Sequence, residues 1–208
     1  KKDGTHLLNA ALPIPLVIQK IALIGSPGTA GFRDFVKHVI DNDFLFKYDI
    51  NVYAASVQGV EAPTQLSKAI LKADKDNPDV IVILRGGGSP MDLDCFNDYT
   101  LAIDISKLQV PVLTGIGHES DFSLADLVAN RDFKTPTDVG DFIVDRTNSF
   151  SSTLVDIATR VGSRSKTVIH REATTLSGAR IILRDLPIRI LSSRKRLFDT
   201  LRLDLNRE

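Results

Sequence analysis

Four short apolar runs punctuate the first part of the chain: residues 21–24 (Ile-Ala-Leu-Ile), 50–57 (Ile-Asn-Val-Tyr-Ala-Ala-Ser-Val), 80–84 (Val-Ile-Val-Ile-Leu) and 110–114 (Val-Pro-Val-Leu-Thr). Each has strand length, and near-continuous apolarity marks strands covered on both faces. Between them the period changes to that of a helix. Phe32, Phe35, Val36, Val39 and Ile40 recur at helical spacing after the first run. Pro63 opens a second helix through Leu66, Ile70 and Leu71, which Asn77-Pro78 closes. Ser89-Pro90-Met91-Asp92 reads as a third helix start, with serine as N-cap, proline in the first turn and a carboxylate at the positive end of the dipole. Ser120-Asp121-Phe122 leads into a short helix through Leu124, Leu127 and Val128. Strands alternating with helices predict an α/β fold: a doubly wound, mainly parallel sheet with glycine-rich strand-to-helix loops.

Thr135-Pro136-Thr137-Asp138 marks a boundary, with helical character from about Val139. Beyond it the chain is strand-poor. Leu154, Ile157, Val161, Val168 and Leu176 are spaced loosely by heptads, Pro187 is expected to break or kink that helix, and Leu191, Phe198, Leu201 and Leu205 mark a second piece. A helical hairpin or coiled-coil-like arm is expected, the alternative being a helical cap on the sheet. The expected division is a linker over 1–20, an α/β domain over 21–148 and a helical arm, cut short, over 149–208.

The composition, 43% hydrophobic and 25% charged, is that of a folded globular protein. No apolar stretch reaches the length of a membrane span, so no membrane partner is expected. The single cysteine, Cys95, cannot form an internal disulfide, which fits a reducing, cytoplasmic setting; inside the helix after the glycine loop it is expected to be packed. The net charge of zero hides an asymmetry. Residues 1–148 carry 14 Lys+Arg against 20 Asp+Glu, and residues 149–208 carry 12 against 6. A basic tail on an acidic body suggests a surface for nucleic acid or an acidic partner, and equally suits a solvated helix. The lone methionine, Met91, is internal, so the chain is expected to be a piece of a longer protein.

Candidate chemistry gathers after the strands, where α/β sheets bind ligands. After residues 80–84 come Arg85, Gly86, Gly87, Gly88 and Ser89: an arginine suited to bidentate phosphate contact, then a loop whose N–H groups can nest an anion. A tight turn needing glycine for geometry alone is the alternative. Gly25-Ser26-Pro27-Gly28-Thr29-Ala30-Gly31 matches neither the dinucleotide fingerprint nor the P-loop. Ser26 and Thr29 there suit a phosphate or a plain turn equally. Arg33 and Asp34 follow, close to the same rim. Gly117-His118-Glu119-Ser120-Asp121 is the sharpest signal, a histidine with two acids, suited to acid–base work or to metal ligation, or else to helix capping. His6, His38 and His170 lack evident partners and are expected at the surface. No G-x-S-x-G elbow or HExxH motif is present.

The succession Ser26-Pro27, Thr29-Ala30, Arg33-Asp34; Val57-Gln58-Gly59; Arg85 to Ser89 with Asp92-Leu93 and Phe96-Asn97; Pro111-Val112; Gly117-His118-Glu119-Ser120-Asp121-Phe122 with Ala125-Asp126; and Thr135-Pro136-Thr137 resembles the large subunit of exodeoxyribonuclease VII. The resemblance runs in order from about residue 21 to 146. It implies a nuclease that degrades single-stranded DNA from either end to short oligonucleotides. It further implies a catalytic domain preceded by an OB-fold and followed by a coiled-coil arm, along which several copies of a small subunit bind. The family's catalytic positions fall on Asp34, Arg85, His118 and Asp121. Phosphate contacts are then expected from Ser26, Thr29, Gly86, Gly87, Gly88 and Ser89, with support from Arg33, Glu119 and Asp126. No cofactor is obligatory by resemblance, and Mg2+ stays open. The chain departs from the pattern at Ser120, where threonine is usual, at Ser26-Pro27-Gly28-Thr29, where the last two residues are exchanged, and at Arg131, an offset arginine. No OB-fold pattern precedes residue 21. Two other classes remain: a nucleotide- or sugar-phosphate-binding enzyme, and a non-catalytic assembly subunit.

Overall fold

The structure is a computed structural model that describes residues 4–85, 90–116 and 122–205. It divides into two compact units at Ser152/Thr153. The first unit is built on five parallel strands: β1 (Lys20–Gly25), β2 (Asp49–Ala54), β3 (Val80–Leu84), β4 (Val112–Gly115) and β5 (Arg131–Asp132), in the order β2-β1-β3-β4-β5. Helices α1 (Ala30–Ile40), α2 (Ala62–Lys75), α3 (Tyr99–Lys107), α4 (Leu124–Val128) and α5 (Pro136–Leu205) follow the strands.

The alternation of side chains explains why the strands read as unbroken apolar runs. Val80, Val82 and Leu84 enter one core with Phe32, Phe35 and Val39 of α1 and Val139 and Ile143 of α5. Ile81 and Ile83 enter the opposite core with Leu66 and Ile70 of α2 and Leu101 and Ile105 of α3. Both faces are therefore covered, and no position of β3 is left for a polar residue.

The structure corrects several expectations. β2 stops at Ala54, because the chain leaves the ladder at Ser56, whose N–H donates to the Gln65 side chain at 3.0 Å. The helix expected from Ser89 is a 3-10 helix, Pro90–Asn97, and the α-helix begins later, where Asp98 caps α3 by accepting from Leu101 N–H at 2.9 Å. Ser89 itself lies outside the described residues. Cys95 thus sits in the 3-10 turn, buried, with its Sγ donating to Val57 O at 3.2 Å. α4 is capped by Ser123 rather than by Ser120 or Asp121, which lie outside the described residues. α5 starts earlier than expected. Thr135 Oγ1 accepts from Asp138 N–H, and the Asp138 carboxylate accepts from Thr135 N–H, both at 3.1 Å, with Pro136 pre-set in the first turn. β5 escaped notice because two residues carry no periodicity.

Residues ahead of β1 are packed against the sheet. Asn9 is fully buried; its amide donates to Val110 O at 2.9 Å and accepts from Val112 N–H at 2.9 Å. Asn130 N–H donates to Val112 O at 2.9 Å, and its side chain donates to Asn9 O at 2.6 Å. Where β5 is too short to flank β4, two asparagines complete the ladder.

The second unit is the continuation of α5, whose described side chains are exposed apart from the half-buried Asp185. The helix continues through Pro187, so neither a break nor a hairpin turn forms there. The missing N–H and the displaced carbonyl of Leu183 lie in an exposed turn, Leu183 itself being 76% exposed, where water satisfies what proline removes. Among the described residues, no helix is long and apolar enough to cross a membrane.

Candidate active site

In a parallel sheet every strand ends at the same rim, and here the register makes the ends coincide. Gly25 pairs with Ala54, Ile24 with Ile83, and Leu84 with Gly115. The chain leaves β1 toward β2 on one side and returns to β3 on the other, so the strand order reverses between β1 and β3. A crevice opens outside the strand ends at such a point. Gly25 and Arg85, from which the two glycine-bearing loops of the sequence continue, stand at the ends of the two strands on either side of it.

Close approach of β1 and β3 depends on Gly25. A Cβ there would lie 3.0 Å from Leu84 O and 3.3 Å from the Phe32 ring. Beyond it, Thr29 Oγ1 and Thr29 N–H both donate to Ser26 O, at 2.8 and 3.1 Å. The Thr29 hydroxyl is thereby turned away from capping α1, whose first turn has no side-chain cap. Those leading N–H groups and the positive end of the α1 dipole point at the rim and suit an anion. Arg33 and Asp34 are exposed on the same helix.

Arg85 follows β3 and is 6% exposed, with its N–H donating to Gly115 O at 3.2 Å. A buried guanidinium at a strand end is held in place by its surroundings. Gly86, Gly87, Gly88 and Ser89 lie outside the described residues, as do His118, Glu119 and Asp121 at the end of β4. Asp126 is placed on α4 with its Oδ2 accepting from Ser123 N–H at 3.1 Å and from Ser123 Oγ at 2.7 Å; the Ser123 Oγ accepts in turn from Asp126 N–H. Its role in the structure is a capping box. Its other oxygen is buried with no hydrogen-bond partner among the described residues. Among the described residues no cluster of three or more histidine, cysteine or carboxylate groups is disposed to hold a metal.

Asp34 lines a cleft of about 630 Å³ together with Lys37, His38, Asp41, Thr137 and Asp141. Thr137 is in the opening turn of α5, so Asp34 occupies the rim end of this α1–α5 groove. One expectation is corrected here. His38 is no unpartnered surface residue: its Nε2 is 2.7 Å from Asp141 Oδ1. Gly140 makes this possible, since a Cβ there would lie 2.8 Å from the His38 ring. The pair is 103 positions apart, and no sequence spacing signals it. At the opposite edge of the sheet, the Tyr53 hydroxyl donates to Asp76 Oδ2 at 2.5 Å, and Lys72 Nζ lies 5.9 Å from the ring centroid. The hydrogen bond to the Asp76 carboxylate, aided by burial, pushes the Tyr53 phenol up to about 12. Sequence reading passed over Tyr53, although the lysines of α2 repeat along one helical face beside it.

A family model described as exonuclease VII, large subunit, matches residues 8–208. The chain belongs to this family. Similar curated proteins are the exodeoxyribonuclease 7 large subunits of Campylobacter jejuni strain RM1221, 40% identical over 137 residues (66% of this chain, 35% of that protein), of Campylobacter lari strain RM2100, 36% identical over 165 residues (79% and 42%), and of Thermotoga petrophila strain RKU-1, 37% identical over 131 residues (63% and 33%). The chain thus spans about a third of the length of the first of these relatives. Among solved structures, a cobalamin-binding protein from Desulfitobacterium hafniense DCB-2 is similar at 15% identity with a TM-score of 0.40, covering 62% of this chain and 58% of that one, too slight a likeness to bear on function. In this family member Ser26 and Thr29 follow β1 and Arg85 follows β3, the two strands between which the strand order reverses.

Proposed function

We propose that this chain is the catalytic part of a nuclease that hydrolyses phosphodiester bonds in single-stranded DNA from its ends, releasing short oligonucleotides. The observation that carries the reading is Arg85, buried at the end of β3 beside the point where the strand order reverses. A preorganised guanidinium there stabilises charge as it builds on the phosphate, and costs no reorganisation during reaction. The glycine amides of residues 86–88 and the Ser89 hydroxyl add donors, as does the Ser26 hydroxyl across the crevice, while Thr29, whose hydroxyl and N–H both donate to Ser26 O, holds that loop in shape. His118 activates water or protonates the leaving oxygen, and Asp121 orients its imidazole. Asp34 completes the acid–base set from α1. Arg33, Glu119 and Asp126 support these groups.

The arm carries the second part of the proposal, a surface for several copies of a small subunit. Leu154, Val161, Val168, Leu176, Leu183, Ile190 and Leu197 are all at least half exposed and recur in steps of seven or eight residues along α5. Such a repeat drifts little around a straight helix and presents one long aliphatic stripe.

The test is cleavage of an end-labelled single-stranded oligonucleotide by the full-length protein with its small subunit, beside a duplex control, in magnesium and in EDTA. His118→Ala and Arg85→Ala are each expected to lose at least ~100-fold in rate. Wild-type rates in both variants refute the assignment. Saturable binding of a mononucleotide without DNA cleavage favours a phosphate-ligand enzyme instead.

A further inference from the structure

Between the outer edge of β2 and α2 lies a cleft of about 540 Å³ lined by Asn51, Tyr53, Gln65, Lys68, Lys72 and Asp76, among others. Its chemistry differs from that of the α1–α5 groove, which gathers Asp34, Asp41, Asp43, Asp141 and Asp145. Lys68, Lys72 and Lys75 fall at i, i+4 and i+7, one face of α2, and all three are exposed. They are three of the 14 cationic residues on a body, residues 1–148, that carries 20 acidic ones. Asp76, the carboxylate in the lining, is engaged by the Tyr53 hydroxyl. Tyr53 is half-buried and offers a ring beside the lysines, with Lys72 already near its face.

The edge itself is open. Asp49 N–H donates to Gln19 O and Ala55 N–H to Gly25 O, so the odd-numbered residues of β2 turn their polar groups to β1. In a parallel strand the N–H and C=O of one residue point the same way, which leaves those of Ile50, Val52 and Ala54 facing outward. The cleft is also continuous with the candidate site. Ala54 pairs with Gly25, where the Ser26–Thr29 loop begins, and β3 with Arg85 is the next strand beyond β1. Two inter-strand steps of ~4.8 Å place the top of β2 about 10 Å from the end of β3.

We propose that this β2–α2 cleft is a track for single-stranded nucleic acid, in which Lys68, Lys72 and Lys75 hold phosphates and Tyr53 stacks on a base, feeding the strand to the Arg85 rim. The proposal rests on the nuclease reading for its direction, and on charge, the aromatic face and continuity for its occupant. An acidic polypeptide added to the open edge is the competing occupant.

The experiment measures binding of a labelled long oligothymidylate to the full-length protein carrying His118→Ala, so that the probe survives, over a range of salt. Lys68→Gln/Lys72→Gln/Lys75→Gln is expected to weaken binding at least tenfold. It should also lower the magnitude of the salt slope by about 2, since each phosphate contact on a single strand contributes about 0.7. Tyr53→Leu weakens binding by about fivefold or more, whereas Tyr53→Phe, which keeps the ring and loses the bond to Asp76, retains most of it. Lys107→Gln, an exposed lysine on α3, changes neither affinity nor slope. Unchanged affinity and slope in the triple variant overturn the track, as does loss of poly-glutamate binding with oligothymidylate binding retained. The two readings fail separately. A lysine-dependent salt slope with labelled DNA left uncleaved by the wild-type protein sinks the nuclease and keeps the track. Cleavage by the wild-type protein with wild-type affinity in the triple variant does the reverse.

Discussion

Asn9→Ala isolates what the residues ahead of β1 contribute. Asn9 is fully buried and bonds two backbone groups of the strand segment that β5 does not reach. Its removal leaves Val110 O and Val112 N–H without those partners, and Val110 and Val112 are 4% and 0% exposed. Each orphaned buried group costs about 1–3 kcal/mol, so the variant is expected to lose about 2–6 kcal/mol. That is a large share of an ordinary domain stability of about 5–15 kcal/mol. Asn9→Asp retains an acceptor for Val112 N–H and opposes an anion to Val110 O, and is expected to be no better. The assay is urea unfolding of the full chain followed by circular dichroism. At a slope of about 2–3 kcal/mol per molar, a loss of about 3 kcal/mol moves the midpoint down by about 1 M. A shift under about 0.3 M, with slope unchanged, refutes the reasoning: the asparagine would then not be closing the ladder. β4 is followed, after Ile116, by Gly117-His118-Glu119-Ser120-Asp121, so the proposed nuclease activity is expected to fall with the midpoint.

Gly25→Ala sets a Cβ against Leu84 O and the Phe32 ring; it is expected to cost about 1–3 kcal/mol in thermal melts and to slow cleavage tenfold or more by spreading β1 from β3. Ser123→Ala removes the α4 cap and one of the two donors to Asp126 Oδ2, an expected loss of about 1–2 kcal/mol read by denaturation. The Tyr53 phenol, raised to about 12, gives stability that is fully present below pH 10, the ordinary value, and lost as pH rises toward 12. Difference titration of phenolate absorbance against Tyr53→Phe is expected to show this group ionising near 12, and Asp76→Asn to bring it down; ionisation near 10 in the unmutated protein contradicts the hydrogen bond as its cause.

The candidate site was legible in part. The position of Arg85 at the rim could be read because it is the first polar residue after an unbroken apolar strand, and strand ends converge in a parallel sheet. Ser26 and Thr29 were placed at the rim on the same ground. The use of Asp126 as the partner of Ser123 was missed, because a helix of five residues hides its cap among other polar residues. The His38–Asp141 pair joins two helices 103 positions apart, and its formation depends on Gly140 admitting the imidazole. The 3-10 turn after β3 and the continuity of α5 through Pro187 were missed because both depend on environment. Local propensity cannot state whether a carbonyl freed by proline will meet water.

The sequence by itself determined the α/β class, four of the five strands and their burial on both faces, because apolar periodicity is a local consequence of side-chain direction. It also determined which residues leave the strand ends. Tertiary structure alone decided the order β2-β1-β3-β4-β5, and with it which two strands part where the order reverses. Strand pairing is a choice among distant segments of similar apolarity, made by how the helices pack on each face. It decided as well that Asn9 and Asn130 complete β4 and that the lysines of α2 meet the open edge of β2. These are contacts of position in space, and a linear pattern of hydrophobic and polar residues does not encode them.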